Sequence, residues 1–132
     1  MTTLSGFAAF AVSVFILLPL STSADVIKSG FHLVLPGSPT NRDTADDVHI
    51  TFYPGATVKS GSGTGFTTSE FGAPLPANQL NLMGGSVAPG NFFDLTVNLT
   101  GARAAGVPII SEVVWTKGGT PIAVASALRG GV

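Results

Sequence analysis

The chain has 132 residues, six Lys plus Arg against seven Asp plus Glu, a net charge of −1, and charged side chains at only 10% of positions. Its cations, Lys28, Arg42, Lys59, Arg103, Lys117 and Arg129, stand singly along the sequence, which excludes the basic stripe of a nucleic-acid binder. The absence of Cys excludes disulfides, thiolate metal centres and cysteine nucleophiles, while 17 Gly and 9 Pro favour short strands joined by many turns over long solvated helices.

Residues 1–24 read as an export signal. An uncharged apolar run from Gly6 to Leu20 forms its helix, Pro19 ends that helix, and Ser21-Thr22-Ser23-Ala24 is a small-residue cleavage region. Cleavage leaves Asp25 first and a domain over 25–132, secreted to an extracellular or periplasmic space. The alternative is an uncleaved leader that anchors an accessory subunit in a membrane, but the apolar run is shorter than the roughly 20 residues a spanning helix needs. About a hundred residues remain after cleavage, enough to bury a core without covalent staples.

The mature chain opens with a broken strand over Asp25–Leu35, with Phe31, Leu33 and Leu35 on one face, His32 and Val34 on the other, and Gly30 at a bulge or bend. A loop, Pro36 to Asn41, follows. Asp46–Tyr53 alternates again: Val48, Ile50 and Phe52 inward, His49, Thr51 and Tyr53 outward, closed by Pro54-Gly55. Ala56–Ser60 continues as a short segment, and the Gly/Ser/Thr-rich run Lys59–Thr68 reads as a mobile connection or a weak strand. Ser69–Ala77, with Pro74 and Pro76, crosses the surface extended, leaving Phe66 and Phe71 as its packing residues.

Gln79–Met83 is a short strand with Leu80 and Leu82 on one side. The clearest strand follows the Pro89-Gly90 turn: Phe93, Leu95, Val97 and Leu99 alternate strictly with Asp94, Thr96, Asn98 and Thr100 until Gly101 breaks the pattern. Phe92 falls on the outer face. Ile109–Thr116 is a further strand with Ile109, Ser111, Val113 and Trp115 inward and Glu112 in solvent. Lys117-Gly118-Gly119-Thr120 makes a two-residue hairpin, and Ile122–Ala127 returns from Pro121 as an edge strand able to pair between chains.

These elements predict an all-β fold: an antiparallel β-sandwich of about seven strands, preceded by the N-terminal signal helix. The phrase V-A-P-G-N-F-F-D-L-T-V-N-L at Val87–Leu99 resembles the strand of immunoglobulin-like and fibronectin-type extracellular modules in which a Pro-Gly turn precedes an alternating strand. A-D-D-V-H-I-T-F at Ala45–Phe52 is similar to a strand of small exported domains. The resemblance implies a sandwich and no site residue. It departs from immunoglobulin domains in lacking the paired cysteines and in placing Trp115 in the penultimate strand.

Several constellations are candidates for chemistry. Asp43, Asp46 and Asp47 offer oxygen ligands for a calcium ion, though their spacing is not an EF-hand and each also suits a turn ahead of a strand. His32 and His49, with Asp46 or Asp47, supply part of a transition-metal set without an identifiable third ligand. No Ser lies in a G-x-S-x-G elbow, and Glu70 with Glu112 is the pair a glycosidase would require. Asn98-Leu99-Thr100 is a glycosylation sequon. Tyr53, Phe92 and Trp115 would form a platform for sugar rings only if they shared an exposed face. The expected function is therefore a secreted, non-catalytic module acting in binding, adhesion or extracellular assembly on a protein or carbohydrate ligand. A carbohydrate-binding module and a small exported hydrolase are the alternatives.

Overall fold

The computed structural model describes residues 26–37 and 42–128; the export signal, the cleavage point and most of the loop ending at Asn41 lie outside them. The described residues form eight strands and no α-helix: β1 (Val26–Val34), β2 (Asp47–Phe52), β3 (Thr57–Gly63), β4 (Thr68–Glu70), β5 (Gln79–Met83), β6 (Phe92–Thr100), β7 (Ile110–Lys117) and β8 (Thr120–Leu128). Every pairing is antiparallel. They build a three-stranded sheet, β1-β6-β3, and a five-stranded sheet, β4-β5-β2-β7-β8, the β-sandwich that the one-sided alternation of the strands requires.

β6 is the spine of the small sheet. Phe93, Leu95, Val97 and Leu99 are all buried, while Asp94, Thr96, Asn98 and Thr100 form the outer row. β1 runs beside β6 with Phe31 opposite Leu95 and Leu33 opposite Phe93. In the large sheet, Val48, Ile50 and Phe52 of β2 are fully buried, next to Leu80 and Leu82 of β5 and to Val113 and Trp115 of β7. An aromatic chain crosses the core: Phe66 stands edge-on to Phe93 at 4.9 Å and Phe93 edge-on to Trp115 at 5.5 Å between ring centroids.

Turns are set by residues suited to them. Ala88-Pro89-Gly90-Asn91 closes with Asn91 N–H donating to the Ala88 carbonyl at 2.9 Å, Gly90 standing at φ +85°. Tyr53-Pro54-Gly55-Ala56 repeats the design with Gly55 at +90°. Both are type II turns, with Pro at the second position and a positive-φ Gly at the third. The β7–β8 hairpin has both Gly118 and Gly119 at positive φ, the type I′ geometry expected of a two-residue loop.

One open choice is decided and two expectations are corrected. Of the two readings of the Gly/Ser/Thr-rich run, its first half takes the strand: Thr57–Gly63 is β3, a full partner of β6. A bulge between Val58 and Ser60 turns Gly61 and Gly63 toward the core, where an added Cβ on Gly61 would stand 2.6 Å from Leu80 Cδ2 and one on Gly63 2.7 Å from Leu82 Cδ1. Glycine is the only residue that lets the two sheets approach this closely. Tyr53 does not face outward; β2 ends at Phe52, the Pro54-Gly55 turn re-aims the next side chain, and Tyr53 is fully buried. In β7 the fully buried residue is Ile110 and not Ile109, because a register shift after Thr51 leaves Ser111 unpaired between Ile110 and Glu112.

Candidate functional site

The sheets differ by two strands, and that difference creates the site. β3 lies against β5 and β4, so β1, at the other edge of the small sheet, comes over β7 and β8. The large sheet continues beneath while the small sheet stops. Between them is a groove of about 300 Å³ lined by His32, Leu33, Val34, Pro36, Val113, Trp115 and Ala125. Its floor is rigid, since Trp115 and Val113 are each only 1% exposed and Trp115 is braced by Phe93.

The lip of the groove carries an uncovered apolar pair. Val34 and Phe92 are cross-strand neighbours, 49% and 53% exposed. The His32 ring packs on Phe92 with centroids 3.9 Å apart, and His32 Nδ1 is 2.9 Å from Asp94 Oδ1. Asp94 is held in turn, its N–H donating to Thr64 Oγ1 at 2.9 Å. Two large apolar groups therefore stay in water, fixed in position by a polar network on the same face. Chemically, the arrangement can take up apolar side chains; it presents no nucleophile and no convergent acids.

The acidic residues do other work. The Asp46 carboxylate accepts from the Gly118 N–H at 3.1 and 3.3 Å, tying the β7–β8 hairpin to the start of β2. Asp47 Oδ1 accepts from the Gly84 N–H at 3.4 Å, and Asp43 Oδ1 lies 3.6 Å from Lys117 Nζ. Each carboxylate serves a different partner, and among the described residues no group of three or more His, Asp or Glu converges. His32 and His49 project from the outer faces of opposite sheets, so they cannot share an ion. Glu70 on β4 and Glu112 on β7 are three strand spacings apart, about 14 Å between backbones, well beyond the roughly 5–9.5 Å between paired glycosidase carboxyls.

Asn98 lies on the outer face as expected, half-buried, its Nδ2 donating to Ser60 Oγ at 2.7 Å. Trp115 is inside and Phe92 outside, as the alternation predicts. With Tyr53 also buried, the three aromatics share no exposed face. The Tyr53 hydroxyl donates to the Gly101 carbonyl at 2.6 Å, and burial raises its pKa above the usual 10, with the Arg103 guanidinium opposing. The groove itself escaped the sequence reading. Leu33 and Trp115 read individually as core residues and Ala125 as part of an edge strand, and only strand order shows that they share an open side. Asn81 was also missed: it is 8% exposed, with an Oδ1 that meets no hydrogen-bond donor.

Compared with protein-family models, with curated proteins and with solved structures, the chain matches none of them.

Proposed function

We propose that this protein is an exported, non-catalytic β-sandwich of immunoglobulin-like type whose task is to bind a protein partner, an extended segment of which lies beside β1 and fills the groove. One observation carries the reading: the apolar groove opens where the small sheet stops, with a rigid aromatic floor and an exposed Val34–Phe92 lip. An edge strand above such a groove offers main-chain hydrogen bonds for affinity and a slot for alternate side chains, the terms of β-strand addition.

Strand order supports the immunoglobulin-like type. In the constant-type sandwich, one sheet runs A-B-E-D and the other holds C, F and G. β1-β6-β3 corresponds in sequence order and pairing to B-E-D, and β2-β7-β8 to C-F-G, with β4 and β5 added at the C edge. The A position, beside β1, is where the groove lies.

The test has two parts. The intact mass of the protein recovered from the medium of its native cells should match Asp25–Val132; a full-length mass confined to the membrane fraction overturns export. A photo-crosslinking amino acid at Val34 should then trap an extracellular protein that the same group at Glu112 does not, and Ala125→Phe, which plugs the groove, should abolish the adduct. Crosslinking that survives Ala125→Phe removes the groove from the account.

A further inference from the structure

Of the strands that end a sheet, one lacks the usual protection. β1 carries Lys28, β3 carries Lys59 at its bulge, and β4 is three residues long and contains Glu70. Charge, bulges and brevity are the means by which exposed edges are kept from pairing. β8 has no charged residue from Thr120 to Leu128, and no backbone among the described residues pairs with its far side. Pro121 and the register shift beside it close only its first turn of ladder, leaving Ile122 onward open. At the middle of that open stretch is Val124, 55% exposed, opposite Val114 of β7.

We infer that β8 is a self-association edge, pairing antiparallel with β8 of a second copy about a two-fold axis through Val124. Such an axis puts Val124 opposite Val124 of the second copy and Ala123 opposite Ala125 of the second copy. The exposed valine is covered by its own counterpart, with Val114 of each copy beside it, while Ala123 and Ala125 meet on the opposite face of the sheet. The strand carries no charge, so no like charges meet in this register, which is what an isologous interface demands. The two five-stranded sheets become one of ten strands.

The size of the interface sets its strength. About an axis at Val124 the open backbone pairs from Ile122 to Ser126, five residues at about 3.4 Å each and so about 17 Å of edge, and pairing along it buries less than the roughly 1,200 Å² of a stable interface. The dimer is therefore weak and concentration-dependent, with a dissociation constant in the micromolar range or above. The inference stands on the β8 edge alone and is independent of what fills the groove.

Sedimentation equilibrium on the protein from about 10 μM to about 1 mM should show a monomer–dimer equilibrium, and Val124→Lys should weaken it at least tenfold by setting two ammonium groups face to face. The cysteine-free chain allows a second test. Cα atoms opposed across antiparallel strands are about 4.5–5.5 Å apart, within disulfide range. Under mild oxidation Val124→Cys should thus become a covalent dimer, while Glu112→Cys, paired with Ser126 and so three strand spacings and four residues from its counterpart in such a dimer, about 20 Å, should not. A monomer throughout the concentration series, or crosslinking of Val124→Cys no faster than of Glu112→Cys, overturns the inference.

Discussion

Two strands of this sandwich are made of small residues, for opposite reasons. In β3 the glycines are small because neighbours press on them: Gly63 faces Leu82 and the Phe93 ring, the ring atoms 3.0 Å from where a Cβ would be. In β8, Ala125 is small at the margin of the core, where it lines the open groove left by the end of the small sheet. Glycine in a strand normally weakens it; here it permits the closest approach of the two sheets. The same poverty of side chain that closes one side of the molecule leaves the other open. The closed side contributes stability and the open side contributes surface.

Adding atoms to each strand is the direct way to break that comparison. Gly63→Ala places a methyl against two packed walls and should cost about 2 kcal/mol by overpacking, read as a lower urea midpoint at unchanged slope. Ala125→Val, which adds two methyls to the groove side, should change stability by less than about 0.5 kcal/mol. Equal losses at the two sites would mean that the groove is not open in solution. The cause of the β3 loss can be isolated: Gly61→Ala combined with Leu80→Val should show a coupling of about 1 kcal/mol, because the shortened side chain yields space that the new Cβ needs.

The closed side is also pinned where the chain enters β3. Tyr53 precedes the turn that leads there, and its hydroxyl reaches the Gly101 carbonyl at the end of β6. Tyr53→Phe removes one donor and leaves a carbonyl unpaired, a loss of about 1–2 kcal/mol. The raised pKa of Tyr53 gives the bond a pH signature. The fold favours the neutral phenol, so its contribution is complete below the unfolded-state pKa of about 10 and is lost as pH rises through the higher folded value. Melting temperatures taken upward from about pH 9 should fall more steeply for the native protein than for Tyr53→Phe. Parallel curves would show that Tyr53 ionises in the fold as freely as out of it.

Much of the sandwich was legible in the sequence wherever local pattern and fold agree. β2 and β6 alternate cleanly, Pro89-Gly90 and Gly118-Gly119 dictate their turns, and each of these elements stands where period and turn chemistry place it. β3 was legible only as one of two readings: the need for Gly61 and Gly63, which decides it, arises from Leu80 and Leu82, about twenty residues away in sequence. Tyr53 was misread because alternation was carried one residue past the strand's end. The groove was hidden for a more general reason. Its lining comes from β1, β7 and β8, and a surface produced by one sheet stopping short has no local signature.

The smallest expected effect is the most telling about the open side. Val124→Lys introduces a full charge at the centre of a nine-residue strand, yet at low concentration it should alter unfolding stability by no more than about 0.5 kcal/mol. Val124 is 55% exposed, and the long lysine stem carries its ammonium into water. A charge in β8 should therefore cost less than a methyl in β3. At millimolar protein the two forms should diverge, because pairing adds a concentration-dependent term to the native protein's stability that the lysine variant lacks. Coincident unfolding curves at low concentration that separate as concentration rises would locate the function of β8 in its edge. A large loss at every concentration would show that Val124 belongs to the core.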